Sequence, residues 1–178
     1  MSPHFEYLGY KFKTEPGKKK EFSREVSVVI SDRKIKKLKS RVILSFKRFQ
    51  HDGNVHLLRD RLKYLATNMK VRRQGNTEVK HTPFIHSGIF YNYSLCGHYR
   101  VRKSGLEQSR YDCAELKAVD GFYHSLIKKN GKLPSTKLHP AGANELRRYS
   151  FFKGYDLRLR SRFTSSRVAE IKEAWRSA

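Results

Sequence analysis

Negative charge is what the sequence has least of. Its 178 residues hold 16 Asp and Glu against 39 Lys and Arg, a formal net charge of +23 and a pI near 10.2. The carboxylates are also dispersed. The six aspartates, Asp32, Asp52, Asp60, Asp112, Asp120 and Asp156, include no adjacent pair, which disfavours a nuclease or polymerase centre built on clustered carboxylates and divalent cations. Cysteine is scarce too, and Cys96 and Cys113 cannot form the framework of a disulfide-stapled secreted domain. Long apolar runs are missing: the longest uncharged stretch, Thr82 to Tyr99, carries polar residues and His throughout, so no transmembrane helix is expected. No apolar signal-peptide core follows Met1. There is no internal repeat and no low-complexity linker. These absences predict a soluble, intracellular, cytoplasmic chain that meets a polyanion.

What is present supports a folded domain. Apolar residues make up 38 % and aromatic residues 12 %, far above what a disordered basic tail carries. The positive charge runs through the whole chain, with a net +13 over residues 1–75 and +10 over residues 76–178. A membrane-surface protein gathers its charge on one amphipathic segment. Charge spread this way fits a surface laid along a duplex or a folded RNA.

The pattern predicts an α+β fold: an N-terminal β-hairpin followed by a mainly helical body. Residues 5–13 alternate roughly and read as a strand, Glu15-Pro16-Gly17 as a turn leading to a Lys18–Lys20 tip, and Phe22 to Ile30 as the returning strand. Ser31 and Asp32 offer an N-cap for a helix running to about Gln50. Ile35, Leu38, Val42, Phe46 and Phe49 share one face of it, and most of its basic residues share the other, with Leu44 as an interruption. Asp52-Gly53-Asn54 stops this helix and caps a second, carrying Val55, Leu58, Leu62, Leu65 and Met69. Arg72 to Lys80 reads as a loop around Gln74-Gly75-Asn76, and Ser87 to Tyr93 is compatible with a buried helix that periodicity does not decide. Val101 to Ser109 reads as a polar loop, and Cys113 to Lys129 as a helix ending at Asn130-Gly131. Leu133 to Asn144 reads as irregular, and Thr164 or Ser165 as the cap of a final helix with Val168, Ile171 and Trp175.

The quartet Tyr7-Leu8-Gly9-Tyr10, inside Phe5–Phe12, resembles the Phe-Leu-Gly-Tyr signature of bacterial reverse transcriptases. The strand at 22–30 and the basic helix at 32–50 resemble that family's passage from palm to thumb. His86 to Tyr93 and the ending Ile171-Lys172-Glu173-Ala174-Trp175 are similar to the C-terminal region of such enzymes, in the retron-like and phage-defence branches above all. The resemblance is firmest over residues 5–70. It implies a palm-end, primer-grip hairpin at 1–30, a thumb-like helix pair at 31–80 and a C-terminal helical region at 81–178. It also implies RNA or an RNA–DNA hybrid as partner, held by a part of an RNA-directed DNA polymerase engaged in antiviral defence. The family's aromatic-x-Asp-Asp turn is missing, so the chain is expected to be inactive alone, with no catalytic residue and no cofactor of its own. Mg²⁺ and deoxynucleotides would belong to a palm that this chain lacks, either truncated away or supplied by a separate palm-and-fingers chain. The alternative is a stand-alone basic RNA-binding protein of a ribonucleoprotein assembly.

The candidate nucleic-acid contacts are Tyr7, Leu8, Gly9 and Tyr10 at the primer end, with Lys34, Lys37, Arg41, Lys47, Arg48 and Arg61 along the backbone track. Eight basic residues against the single acid Asp32 over residues 31–50 exceed what solubility requires, since like charges at i,i+4 cost an isolated helix roughly 0.2–0.5 kcal/mol per pair. A bound phosphate backbone turns that repulsion into attraction through counterion release. Arg59, Lys63 and Lys70 extend the track. His86, Tyr91, Tyr93 and Tyr99 read first as an aromatic core clamping the C-terminal helices, with stacking of unpaired bases as the alternative. Tyr149 to Phe163, with Arg158, Arg160 and Arg162, reads as an RNA-contacting edge or an ordinary edge strand. Cys96, His98, Cys113 and His124 are ligands by type but lack zinc spacing, so no metal site is expected.

Overall fold

The computed structural model describes residues 4–16, 24–72, 84–102, 105–130 and 138–176. The fold is α+β. Five antiparallel strands form one sheet in the order β1-β2-β3-β6-β7: β1 His4–Tyr7, β2 Tyr10–Pro16, β3 Arg24–Ile30, β6 Gly97–Arg102 and β7 Gly105–Tyr111. Register places Tyr10 opposite Ile30 and Phe12 opposite Val28, so one pleated face collects these four side chains with Val26 and turns them into the core.

The stretch read as one strand over 5–13 is two strands. Leu8 and Gly9 form a two-residue turn with Tyr7 opposite Tyr10 and φ values of 49° and 84°. Positive φ at both centres is the hairpin geometry that matches strand twist. Glycine supplies it freely and leucine does not, which is why composition hides this turn. The expected Lys18–Lys20 tip lies outside the described residues, as do Gln74-Gly75-Asn76 and Gly131.

α1 spans Asp32–Asp52 and buries Leu38, Val42, Phe46 and Phe49, the face predicted from spacing. Gly53, at φ 64°, ends it by donating its N–H to the Phe49 carbonyl, and the Asn54 side chain caps α2 (Val55–Ala66) by accepting from the Leu57 N–H. α2 is shorter than its apolar spacing suggests. Thr67 is extended, and Met69 lies in a strand, β4 (Asn68–Arg72), paired with β5 (Phe84–Gly88). The Thr67 carbonyl accepts the Ile89 N–H, so tertiary pairing pulls the chain out of the helix. Ser87 to Tyr93 is accordingly the end of β5 followed by a single turn, α3 (Ile89–Asn92).

The region read as a polar loop at 101–109 is the β6–β7 hairpin. Its few apolar residues gave no alternation, and β6 is held by pairing with β3, about seventy residues away along the chain. The C-terminal region therefore carries three strands as well as helices. α4 (Glu115–Asn130) buries Leu116, Val119, Tyr123 and Ile127 completely. The expected irregular stretch contains α5 (Pro140–Leu146), with Pro140 in its first turn. The 149–163 stretch opens as α6 (Phe151–Asp156), whose N-terminal amides are satisfied by the Asp120 carboxylate, which accepts from Phe151 and Phe152. It continues as an extended segment bridged to Asn68 at Arg160. Thr164 caps α7 (Ser165–Glu173). α2 sits at the centre of the helical layer, against α1, α5, α6 and α7. No helix among the described residues is long and apolar enough to cross a membrane.

Candidate nucleic-acid interface

The β1–β2 turn and α1 form one surface. The Ser31 N–H donates to the Gly9 carbonyl at 3.0 Å, seating the turn at the start of α1. A Cβ on Gly9 would lie 2.4 Å from Lys34 Cε, so glycine is what lets the Lys34 stem cross the turn. That flank of Gly9, a candidate contact at the primer end, is thus occupied by Lys34.

The quartet divides in two. Tyr7 and Leu8 project at 64 % and 75 % exposure, with Phe5 beside them at 58 % and stacked on Phe12 at 4.7 Å. Tyr10 is buried, its hydroxyl donates to the Asn92 carbonyl at 2.9 Å, and burial raises its pKa. It is a structural tie between sheet and α3. Only Tyr7 and Leu8 are available to a ligand.

Along α1, Lys34, Lys37 and Arg41 recur at helical spacing and line one wall of a groove of about 640 Å³. Its floor is Ser87, Gly88 and Asn92 at the β5–α3 junction; the opposite wall is the C-terminal end of α7, with Lys172, Trp175 and Arg176. No carboxylate among the described residues lines it. Among the described residues Lys34, Lys37 and Lys172 have no ion-pair partner, while Arg176 pairs with Glu173 at 3.0 Å. The Arg41 guanidinium lies 5.5 Å over the Trp175 ring, and its buried Nε has no hydrogen-bond partner among the described residues. Trp175 is fixed by donating to the Arg41 carbonyl and the Ser45 hydroxyl.

Lys47 and Arg48 are exposed at the far end of α1, about 20 Å from Lys34 at 1.5 Å per residue. Arg48 is shared with Asp52 at 3.7 Å. Arg61, expected on the same track, is an interior residue. It is 1 % exposed, its Nη2 stands 3.6 Å from Asp52 Oδ2, and desolvation lowers its pKa more than Asp52 restores it. The apolar neighbours Leu58 and Leu62 carry it into the core on the buried face of α2. Arg59 is held by Asp60 and Glu145.

The aromatic segment also splits. Tyr93 is buried, with its pKa pushed up to about 12 by desolvation, and Tyr99 donates to the Leu95 carbonyl. His86 and Tyr91 stack on each other at 5.0 Å near the surface. Arg158 covers Phe90 at 4.2 Å, and Arg160 and Arg162 follow it, exposed. Cys96 and Cys113 are buried, and the hydrogen bond between the Cys113 thiol, as donor, and Cys96, together with burial, raises the Cys113 pKa. His98 faces Asp112 at 3.7 Å, and His124 is exposed on α4. No group of three or more metal-ligating side chains occurs among the described residues.

Sequence reasoning missed Lys172 and Arg176. Their i,i+4 spacing beside Trp175 was legible; that α7 ends against α1 was not. Comparison with protein-family models, with curated proteins and with solved structures returned no match.

Proposed function

We propose that the chain binds nucleic acid through α1 and the β1–β2 turn, as the primer-grip and thumb end of a bacterial reverse transcriptase acting in the cytoplasm in phage defence. One observation carries the reading: a basic row, Lys34, Lys37 and Arg41, begins one turn from where the exposed Tyr7-Leu8 turn is seated, and lines a groove with no carboxylate among its described residues. Cations of this kind hold a sugar–phosphate backbone and set register, while the turn meets the primer end. The mechanism is positional. The chain fixes a duplex or a structured RNA, and a partner chain with palm and fingers supplies the carboxylates, Mg²⁺ and deoxynucleotides.

The test is a salt-dependent titration with a recessed RNA–DNA hybrid, a structured RNA and a single strand. Preference for the recessed hybrid is expected, weakened by Tyr7→Ala/Leu8→Ala at unchanged salt slope. Lys34→Gln/Lys37→Gln should flatten the slope on duplex by about 0.9 per lost contact. Equal binding to all three ligands, indifferent to the turn, sinks the polymerase assignment.

That outcome would leave a stand-alone RNA-binding protein, a reading favoured by the pairing of β3 with β6. The N-terminal strands are completed by strands of this same chain, as expected of a self-contained domain.

A further inference from the structure

We infer that the groove between α1 and the end of α7 is a subsite for a short unpaired stretch of nucleic-acid strand, bound beside the duplex-facing surface of α1. The inference rests on the reading of α1 as a nucleic-acid surface and goes beyond it in assigning the groove, its far wall and the state of the strand inside.

Three features define the occupant. The first is size. About 640 Å³ lies within the roughly 300–1,000 Å³ range of sites that enclose a small organic ligand, and it cannot hold a base pair with two backbones. The second is charge on both walls. Lys34 and Lys37 stand on α1, and Lys172 and Arg176 at the end of α7, with no carboxylate among the described lining residues. Arg176 is paired with Glu173 at 3.0 Å. Cations gathered around one space repel unless an anion lies among them. The third is Arg41, which lines the space with its guanidinium 5.5 Å over the Trp175 ring, a cation stacked on an aromatic at the border of the groove. Leu38 of α1, Met69 of β4 and Trp175 after α7 add apolar lining around the space, suited to the face of a base. A phosphodiester strand carrying an unstacked base satisfies all three.

Gly88, at φ 131°, admits no side chain, because a Cβ there would lie 2.4 Å from the Thr67 carbonyl oxygen. The glycine lets the β5–α3 junction lie directly on Thr67 and Asn68 of the paired strand.

The experiment compares a blunt RNA–DNA hybrid with the same hybrid carrying a short unpaired extension, on the wild-type chain, on Lys172→Gln/Arg176→Gln and on Ser87→Trp. The first variant removes charge from the α7 wall alone, and the second fills the groove without altering charge. Circular dichroism melting first confirms that each is folded. The extension should tighten wild-type binding roughly tenfold. Both variants should lose that gain while binding the blunt hybrid as before, and the charge variant should lower the salt slope of the extended ligand by about 0.7 per lost contact. If the blunt hybrid binds and the extension adds nothing, or if the gain survives both variants, the groove assignment is wrong and the α1 reading stands. If no ligand binds, both fall together.

Discussion

Replacing Asn68 by Ala should be among the most damaging single changes in this protein. The side chain is 1 % exposed and makes three hydrogen bonds: Nδ2 donates to the Gly154 carbonyl at 3.0 Å and the Leu159 carbonyl at 3.1 Å, and Oδ1 accepts from the Phe90 N–H at 2.8 Å. Its backbone adds two more, to the Leu159 carbonyl and from the Ser161 N–H, both at 2.8 Å. One residue thus joins β4, α3, α6 and the extended segment. Each lost bond is worth about 0.5–1.5 kcal/mol net, and an amide left without a partner adds about 1–3 kcal/mol, so a loss of about 3 kcal/mol is expected. At ~2–4 °C per kcal/mol for a domain of this size, the melting temperature should fall by roughly 6–12 °C. Urea unfolding followed by circular dichroism reads the change as a lower midpoint at constant slope. Asn68→Asp separates the terms: it keeps the acceptor for Phe90, loses both donors and faces two carbonyls with a carboxylate. It should be at least as damaging at neutral pH, and its deficit should shrink on acidification as the carboxyl gains a proton to donate. A loss under about 1 kcal/mol for Asn68→Ala, or an Asp variant indifferent to pH, would refute this account of the junction.

Leu8→Asn should stabilise the turn by about 1 kcal/mol, because asparagine tolerates the positive φ at which leucine is held; a lower melting temperature would contradict the strain. Tyr10→Phe should cost about 1 kcal/mol through loss of the bond to the Asn92 carbonyl, with nucleic-acid affinity unchanged wherever the chain is folded. Burial raises the Glu115 pKa above its ordinary 4.5, so the native state holds that proton more tightly than the unfolded chain. Stability from this group is full below the ordinary value and is lost as pH rises through the raised one. Glu115→Gln should abolish that decline, and parallel urea midpoints of variant and wild type from acid to neutral pH would disprove it. Gly154→Ala places a Cβ 1.7 Å from the Ala66 carbonyl oxygen, forcing α6 off α2 at a cost of about 3 kcal/mol, measurable by the same melts.

Wherever local signals are self-sufficient, the sequence is a good guide to this fold. Gly53 and Asn54 end one helix and cap the next by contacts within four residues, and α1 shows its apolar face through the period of its own side chains. The basic wall was legible for the same reason, since Lys34, Lys37 and Arg41 are neighbours on one helix. What escaped depends on partners far along the chain. The β6–β7 hairpin has little alternation and exists because β3 offers an edge; α2 stops at Ala66 because Thr67 and Asn68 are claimed by β5 and by residues 159–161. Arg61 has the composition of a surface residue and the position of a core one, decided by Asp52 closing over it. The strongly positive charge, the α+β class and the basic helix were legible from the chain alone, because they follow from residue type and short-range period. Which cations share a groove and which tyrosine of the quartet is free were settled only by the tertiary structure, because each depends on contacts between segments far apart in the sequence.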